Sequence, residues 1–246
     1  YGVTFGGNIN AYTAQNETVY NISAVPTTDV KLLDTCLLIL HDWSYYLTLD
    51  GDEIDAERGV IAEEWRTRRT PQFRLLAQTF PVLFKGSKYA VRDVIGSLDV
   101  IKNFKHQTIR DFYHEWYRTD LEAIAVVGDF DVARMEQRIK EIFSSIPAVE
   151  NPKPRPFFEI PGHEEIYYCL ATDKEVQQSS VNITTILPGM KAEEKQTHQY
   201  LKNDLLVSFC NSMIGARIGE VMQQANPPFL SGNIGFSGFM RGYDVY

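Results

Sequence analysis

One stretch of the sequence limits the possible folds most: "PAVENPKPRPFFEIPG", residues 147–162, in which five of sixteen residues are proline. Proline fixes φ and has no N–H, so such a segment joins neither a helix nor a central strand. We interpret it as an extended linker. The sequence therefore predicts a first half over residues 1–146, a linker over residues 147–162 and a second half over residues 163–246.

The two halves follow a similar order of elements. The first begins with the alternating segments "VTFGGNINAY" and "ETVYNISAV", continues with amphipathic helices and has an apolar strand pattern at 122–130. The second has strand patterns at 165–173 and 179–188, then a long helical pattern and the beginning of another strand. We therefore expect an α+β fold of two similar halves, each a mostly antiparallel sheet with helices packed on one face, the second half being incomplete.

Composition argues against some partners. The chain has 24 basic and 32 acidic residues, a net charge of −8, and an acidic surface repels the phosphates of nucleic acids. No apolar run approaches the roughly 18 residues that cross a bilayer, so we expect neither a nucleic-acid partner nor a membrane span. The three cysteines lie far apart and form no metal-binding pattern, which leaves the cellular compartment open.

The segment "ERGVIAEEWRTRR", residues 57–69, carries the residues of most chemical interest. Glu57 and Glu64 are seven positions apart, so on a helix they share a face with about 10 Å of rise between them. Both cannot hold one small ion, and a catalytic zinc site normally needs imidazoles as well. Taken alone, the segment is typical of a solvated helix face with an ion pair between Glu64 and Arg68. Gly59 lies inside the predicted helix. Such a glycine indicates that another element approaches the helix closely, or the helix simply tolerates the glycine.

Four stretches in this order resemble the pitrilysin/insulinase family of zinc metallopeptidases, which includes the mitochondrial processing peptidases. They are "GGNINAYTAQNETVYNI", "LDGDEIDAERGVIAEEW", "YRTDLEAIAVVGDFD" and the proline-rich segment. The resemblance is good over residues 1–131 and weaker through "MIGARIGEVMQQANPPFL". It implies a zinc enzyme that hydrolyses peptide bonds, in which zinc activates a water molecule and a glutamate takes its proton.

The family's zinc motif, H-x-x-E-H followed by a glutamate well downstream, is not complete in this sequence. The five histidines all lie more than four positions apart, at His41, His106, His114, His163 and His198. The resemblance places the motif before Tyr1, so we expect the chain to be a truncated fragment of the enzyme. Zinc is then expected in the intact protein, whereas the isolated chain is expected to bind zinc weakly or not at all and to be inactive.

The resemblance assigns roles to four residues. Glu64 matches the downstream zinc ligand, and Glu57 matches a second acidic residue that supports the site, which makes it the candidate catalytic residue. Asn10 and Ala11 match the open edge of a strand to which an extended substrate adds by β-augmentation, the alternative being an ordinary edge strand. The implied partners are a peptide substrate and a second homologous domain or subunit that closes over it.

A second interpretation stays open. Some relatives in this family keep the fold, lose the zinc residues and act as non-catalytic peptide-binding or scaffold subunits. The presence of Glu64 in frame with Glu57 favours the enzyme, and the residues that precede Tyr1 in the intact protein would decide between the two. Bacterial relatives are often periplasmic, but nothing in these residues shows export, so the localisation is unknown.

Overall fold

The computed structural model describes residues 6–246 and divides into two compact units, the first as far as Gln177 and the second over Gln178–Tyr246. The first unit contains, in chain order, β1 (Ile9–Thr13), β2 (Thr18–Ile22), α1 (Val30–Tyr45), α2 (Gly51–Thr67), α3 (Pro71–Leu83), α4 (Leu98–Asn103), α5 (His106–Trp116) and α6 (Val132–Phe143). The second contains β3 (Ile186–Pro188), α7 (His198–Met222), β4 (Ser237–Met240) and β5 (Tyr243–Val245). The architecture is α+β, as the sequence predicted.

The beginnings of the helices follow from their capping residues. The Thr70 side chain accepts a hydrogen bond from the N–H of Phe73, and Pro71 takes the first position of α3, where an N–H is not needed. The Asp50 side chain likewise accepts from the N–H of Asp52 at the start of α2. Each cap satisfies a donor that the first helical turn leaves unpaired, so bonds between residues close in sequence determine where these helices start.

The core of the first unit is a set of buried apolar side chains from the helices and the connections between them. They are Leu37, Phe84, Tyr89, Ile101, Tyr113, Met135 and Ile146. Phe84 is fully buried, and its ring centroid lies 5.3 Å from that of Phe80 and 5.9 Å from that of Tyr89. Removal of this apolar surface from water is the main source of stability for the unit.

The buried hydroxyl of Tyr113, on α5, bonds to α1 and to the segment that follows α1. The hydroxyl donates to the carbonyl of Trp43 at 2.8 Å and accepts from the N–H of Leu47 at 3.4 Å. Burial raises the pKa of Tyr113 to about 12. Because the folded state favours the neutral phenol, this contribution to stability is complete below about pH 10 and is lost as the pH rises from about 10 to about 12.

We expect the first unit to lose stability over this alkaline range, and Tyr113→Phe to weaken the pH dependence because phenylalanine does not ionise. The same replacement removes two hydrogen bonds and should cost about 1–2 kcal/mol at neutral pH. Urea unfolding followed by tryptophan fluorescence measures both effects, since all three tryptophans lie in the first unit. Tyr168→Phe, at an exposed position, is the control, and equal alkaline slopes for the two variants would contradict the prediction.

The proline-rich segment is extended but lies along the first unit. It has no helix or strand. Its Phe158 ring lies 6.1 Å from the Tyr89 ring between centroids, and Arg118 donates to the carbonyl of Lys153 at 2.5 Å. The first compact unit therefore continues past the predicted linker at residues 147–162, and the division between the units comes later in the chain. The segment forms no strand because proline lacks the N–H that a ladder needs. It still packs on the first unit because the residues between the prolines contribute ring contacts and carbonyl acceptors.

The second unit contains a three-stranded antiparallel sheet in the order β3-β5-β4. Reciprocal main-chain hydrogen bonds between Thr185 and Tyr246, at 2.8 and 2.9 Å, extend its ladder beyond β3 and β5. The sheet of the first unit consists of the antiparallel pair β1 and β2. Both sheets among residues 6–246 are therefore antiparallel, with two and three strands.

Three segments with strand-like sequences are largely not strands: 122–130, 165–173 and 179–188. Of these residues only Ile186–Pro188 forms a strand, and the adjacent Thr185 bonds to Tyr246. Val127 in the first segment is 95% exposed and Leu170 in the second is 90% exposed. A strand needs a partner for its backbone groups, and none of the described strands pairs with the other parts of these segments. Alternation in the sequence therefore predicted more sheet than the structure forms.

Helix α7 has the length and the apolar composition that would allow it to cross a membrane, and none of its residues is buried. It is the one helix with these properties in the part of the chain that the structure describes. Helices that pack inside soluble domains have the same two properties. The expected absence of a membrane span therefore stays a prediction.

Candidate functional site

The hydrogen-bond register of the hairpin β1–β2 determines which backbone groups face outward. At its two ends the N–H of Ser23 donates to the carbonyl of Asn8, and the N–H of Ala14 donates to the carbonyl of Glu17, each at 2.8 Å. Antiparallel ladders alternate between residue pairs that bond across and pairs that do not, so every second residue of β1 bonds to β2. The residues whose N–H and C=O face away from β2 are the intervening ones, Ile9, Ala11 and Thr13.

Two of these outward groups have partners within the chain. The N–H of Ala11 donates to Oδ1 of Asn10 at 2.9 Å, and the carbonyl of Ile9 accepts from the N–H of Gly6 at 2.9 Å. Asn10 and Ala11 are both exposed, and no strand within residues 6–246 pairs with the outer edge of β1. The structure thus places the two residues predicted to bind substrate side by side at an accessible strand edge.

The hairpin is held to the rest of the first unit through β2 and the turn. The ring of Tyr20 lies 5.6 Å from that of Trp43 between centroids, and its hydroxyl lies 2.5 Å from that of Tyr117. Burial raises the pKa of Tyr117 further above its usual value. Asn16 adds a hydrogen bond from its amide to the hydroxyl of Tyr89 at 3.0 Å. These contacts fix the hairpin while leaving the outer edge of β1 accessible.

The two candidate site glutamates of α2 lie on its accessible surface. Glu57 is exposed, and the side chain of Glu64 is 39% exposed. Oε1 of Glu64 lies 2.5 Å from Nη2 of Arg68, which is the ion pair that their spacing predicted. The neighbouring Glu63 is paired with Arg66, whose guanidinium holds the pKa of that carboxyl below its usual range. The carboxylate predicted to ligate zinc is therefore engaged with an arginine.

The described residues do not by themselves fit a catalytic zinc ion. The Glu64 carboxylate is a suitable ligand, but such a site needs about three protein ligands that usually include imidazoles. Within residues 6–246 no three His, Cys, Asp or Glu side chains are grouped so that they could hold a metal. Two histidines are engaged elsewhere: His41 bonds to Asp42 and Ser145, and His106 bonds to Asp55.

The side chain of His106, on α5, approaches α2 closely at Gly51, whereas no other described element approaches at Gly59. A Cβ on Gly51 would lie 2.9 Å from Nδ1 of His106, whereas a Cβ on Gly59 would meet no atom of another described element within 4 Å. Of the two interpretations of Gly59, this leaves the one in which the helix simply tolerates a glycine. Nε2 of His106 bonds to Asp55 at 2.8 Å, and Nε of Arg58 donates to the same oxygen at 2.7 Å. Arg58 first and His106 second hold the pKa of Asp55 below its usual range. The contact between His106 and Asp55 had no signal in the sequence, because the two residues are 51 positions apart.

Proteins similar to this chain include named zinc proteases. The probable zinc protease PqqL of Escherichia coli (strain K12) is 30% identical over 218 residues, which cover 88% of this chain and 23% of that protein. A zinc protease PQQL-like protein of Arabidopsis thaliana is 29% identical over 231 residues, which cover 94% of this chain and 24% of that protein. The chain thus spans about a quarter of the length of these two relatives.

A solved structure matches the fold over almost the whole chain. The crystal structure of the first half of the periplasmic protease PqqL from Escherichia coli has a TM-score of 0.81 and 28% identity, covering 99% of this chain and 51% of that one.

Two family sequence models match consecutive parts of the chain. The model described as Insulinase (Peptidase family M16) matches residues 3–79, which include all four predicted site residues. The model described as the Peptidase M16 inactive domain matches residues 103–239, which is more than half of the chain. The predicted resemblance is confirmed, and the chain belongs to the insulinase (M16) family of peptidases.

Proposed function

We propose that this chain is the peptide-binding part of a zinc metalloendopeptidase and that an extended peptide adds to the outer edge of β1. The observation that carries this proposal is the register of the hairpin, in which the backbone groups of Ala11 and Thr13 face outward from an exposed strand. Membership in a peptidase family supports hydrolysis of peptide bonds as the reaction of the parent protein.

This mode of binding favours extended peptides of varied sequence. An added strand is held by main-chain hydrogen bonds, which are the same for every residue except proline. The side chains of β1 from Asn10 to Thr13 are exposed, so the strand itself offers little enclosure to the side chains of a peptide. We therefore propose unfolded or extended protein segments as the substrate class.

We propose Glu64 as one zinc ligand and Glu57 as an acidic neighbour that supports it. Ligation requires the Glu64 carboxylate to leave Arg68, and exposed ion pairs at this spacing are worth only about 0.3–0.5 kcal/mol. The imidazoles must come from outside the described residues, since these provide no suitable cluster. The isolated chain is therefore proposed to be inactive.

The parent protein is proposed to contain a second homologous half. This proposal is supported by the matched structure, which is described as the first half of PqqL and of which this chain covers 51%. That protease is described as periplasmic, so a periplasmic location is proposed for this protein if it is bacterial.

A non-catalytic peptide-binding or scaffold subunit is the second candidate function. One observation favours it: residues 103–239 match a domain described as inactive. Both candidates use the same strand edge, so peptide binding tests what they share, whereas zinc retention separates them.

Ala11→Pro is expected to weaken peptide binding by roughly tenfold or more, because the proline ring, in place of the outward N–H, blocks the approach of a peptide backbone to the edge. The ladder with β2 should survive, since Ala11 does not bond across to it. Fluorescence anisotropy with a labelled decapeptide of alternating threonine and valine, flanked by lysines, measures the dissociation constant.

Ala11→Gly is the matched control for this experiment. It also alters the side chain but keeps the N–H, so it should bind the decapeptide within about threefold of the unmodified chain. A decapeptide methylated at its backbone nitrogens should bind poorly, because it cannot donate to the edge. Equal affinities of Ala11→Pro and the unmodified chain would rule out binding at this edge.

A further inference from the structure

The side chain of Asn10 occupies a backbone donor that an added strand would need. Its Oδ1 accepts from the N–H of Ala11 at 2.9 Å, and the register directs that N–H away from β2. On the same edge the carbonyl of Ile9 is bonded to the N–H of Gly6. The carbonyl of Ala11 and both backbone groups of Thr13 face the same side.

We propose that Asn10 acts as a built-in competitor that covers the Ala11 donor until a peptide displaces it. This inference rests on the proposed function, namely addition of a peptide to β1. Asn10 is thereby a positioning residue: it acts on the substrate through the Ala11 N–H, and its own side chain must turn away before a peptide carbonyl can bond there.

A bound peptide would replace one acceptor at the Ala11 N–H by a chemically similar one. A side-chain amide oxygen and a peptide carbonyl are similar acceptors, so replacing one by the other at Ala11 yields little net hydrogen-bond energy. The peptide must therefore gain its affinity from the groups of Ala11 and Thr13 that lie further along the edge. The apparent affinity for a peptide is proportional to the fraction of molecules in which the Ala11 N–H is uncovered. Asn10 lowers that fraction and therefore lowers the apparent affinity.

The same device protects an accessible edge when no peptide is present. Exposed strand edges pair readily with other chains, and natural proteins cover or interrupt them. An acceptor on the strand itself satisfies the N–H without adding another element. A peptide can then displace a single side chain rather than a bound strand.

The opposite strand provides a matched control residue. Asn21 lies directly across from Asn10, is also exposed and has the same side chain. Its backbone belongs to a pair that bonds across the hairpin, so its loss should not uncover a donor at the outer edge of β1.

Asn10→Ala is expected to bind the decapeptide roughly threefold to tenfold more tightly than the unmodified chain, because the donor is no longer covered. Asn10→Asp keeps an acceptor oxygen and should bind no more tightly than the unmodified chain. Asn21→Ala should leave the affinity unchanged. Amide hydrogen exchange provides an independent measurement: the Ala11 N–H should exchange faster in Asn10→Ala and stay protected in Asn10→Asp.

The outcomes separate this inference from the function on which it rests. If the decapeptide binds but Asn10→Ala has the affinity of the unmodified chain, or if Ala11 exchange does not change, the competitor role is overturned and edge binding stands. If no variant binds the decapeptide, or the N-methylated decapeptide binds equally well, the proposed function is overturned and the competitor role fails with it.

Discussion

Zinc affinity is expected to fall by more than about a hundredfold when Glu64→Gln is introduced into a polypeptide that joins this chain to an H-x-x-E-H segment. The replacement exchanges an anionic carboxylate ligand for a neutral amide of the same shape, and zinc sites depend strongly on such ligands. Elemental analysis after dialysis, together with competition against a chelator, measures the change. The isolated chain is the reference and should hold no stoichiometric zinc.

Glu63→Gln is the control for this experiment, and Glu57→Gln tests the second candidate glutamate. Glu63→Gln changes the adjacent residue, which points about 100° away around the helix and is paired with Arg66, so zinc affinity should not change. Glu57→Gln should have an intermediate effect of about tenfold if that residue supports the ligand. Zinc retention in Glu64→Gln equal to that in Glu63→Gln would exclude Glu64 as a ligand. Stoichiometric zinc and chelator-sensitive peptidase activity in the isolated chain would refute its proposed inactivity.

Phe84→Ala is expected to reduce the free energy of unfolding of the first unit by about 3–5 kcal/mol. Its side chain is fully buried against Phe80 and Tyr89, and removing such a ring loses apolar burial and leaves a cavity. Domains of this kind are stable by only about 5–15 kcal/mol, so the loss is a large share of the total. Urea unfolding followed by tryptophan fluorescence measures it, as the tryptophans all lie in this unit.

Phe112→Ala is the matched control, since that phenylalanine is 57% exposed on α5. It should change stability by less than about 1 kcal/mol. A loss of less than about 1 kcal/mol for Phe84→Ala as well would show that this core does not stabilise the unit.

Parts of the candidate site were predictable because they depend on residues close in sequence. The spacing of Glu64 and Arg68 predicted their ion pair, and the motif "NINAYT" predicted an edge strand at Asn10 and Ala11. The bond between Asn10 and the next N–H was not predicted, although it is local, because alternation in sequence does not state which backbone groups face outward. The contact of His106 with Asp55 was not predictable, since these two residues come from helices separated in sequence, although Arg58 pairs with Asp55 within α2.

The α+β class, the hairpin and the start of α3 at Pro71 were determined by the sequence itself, through alternation, capping and the geometry of proline. Only the tertiary structure decided that the proline-rich segment packs on the first unit, that Gly51 lies against His106, and that the segment 122–130 forms no ladder. The physical reason is the range of the interactions. Caps and helical ion pairs connect residues within a few positions, whereas a strand or a close contact needs a partner that chain folding brings from far away.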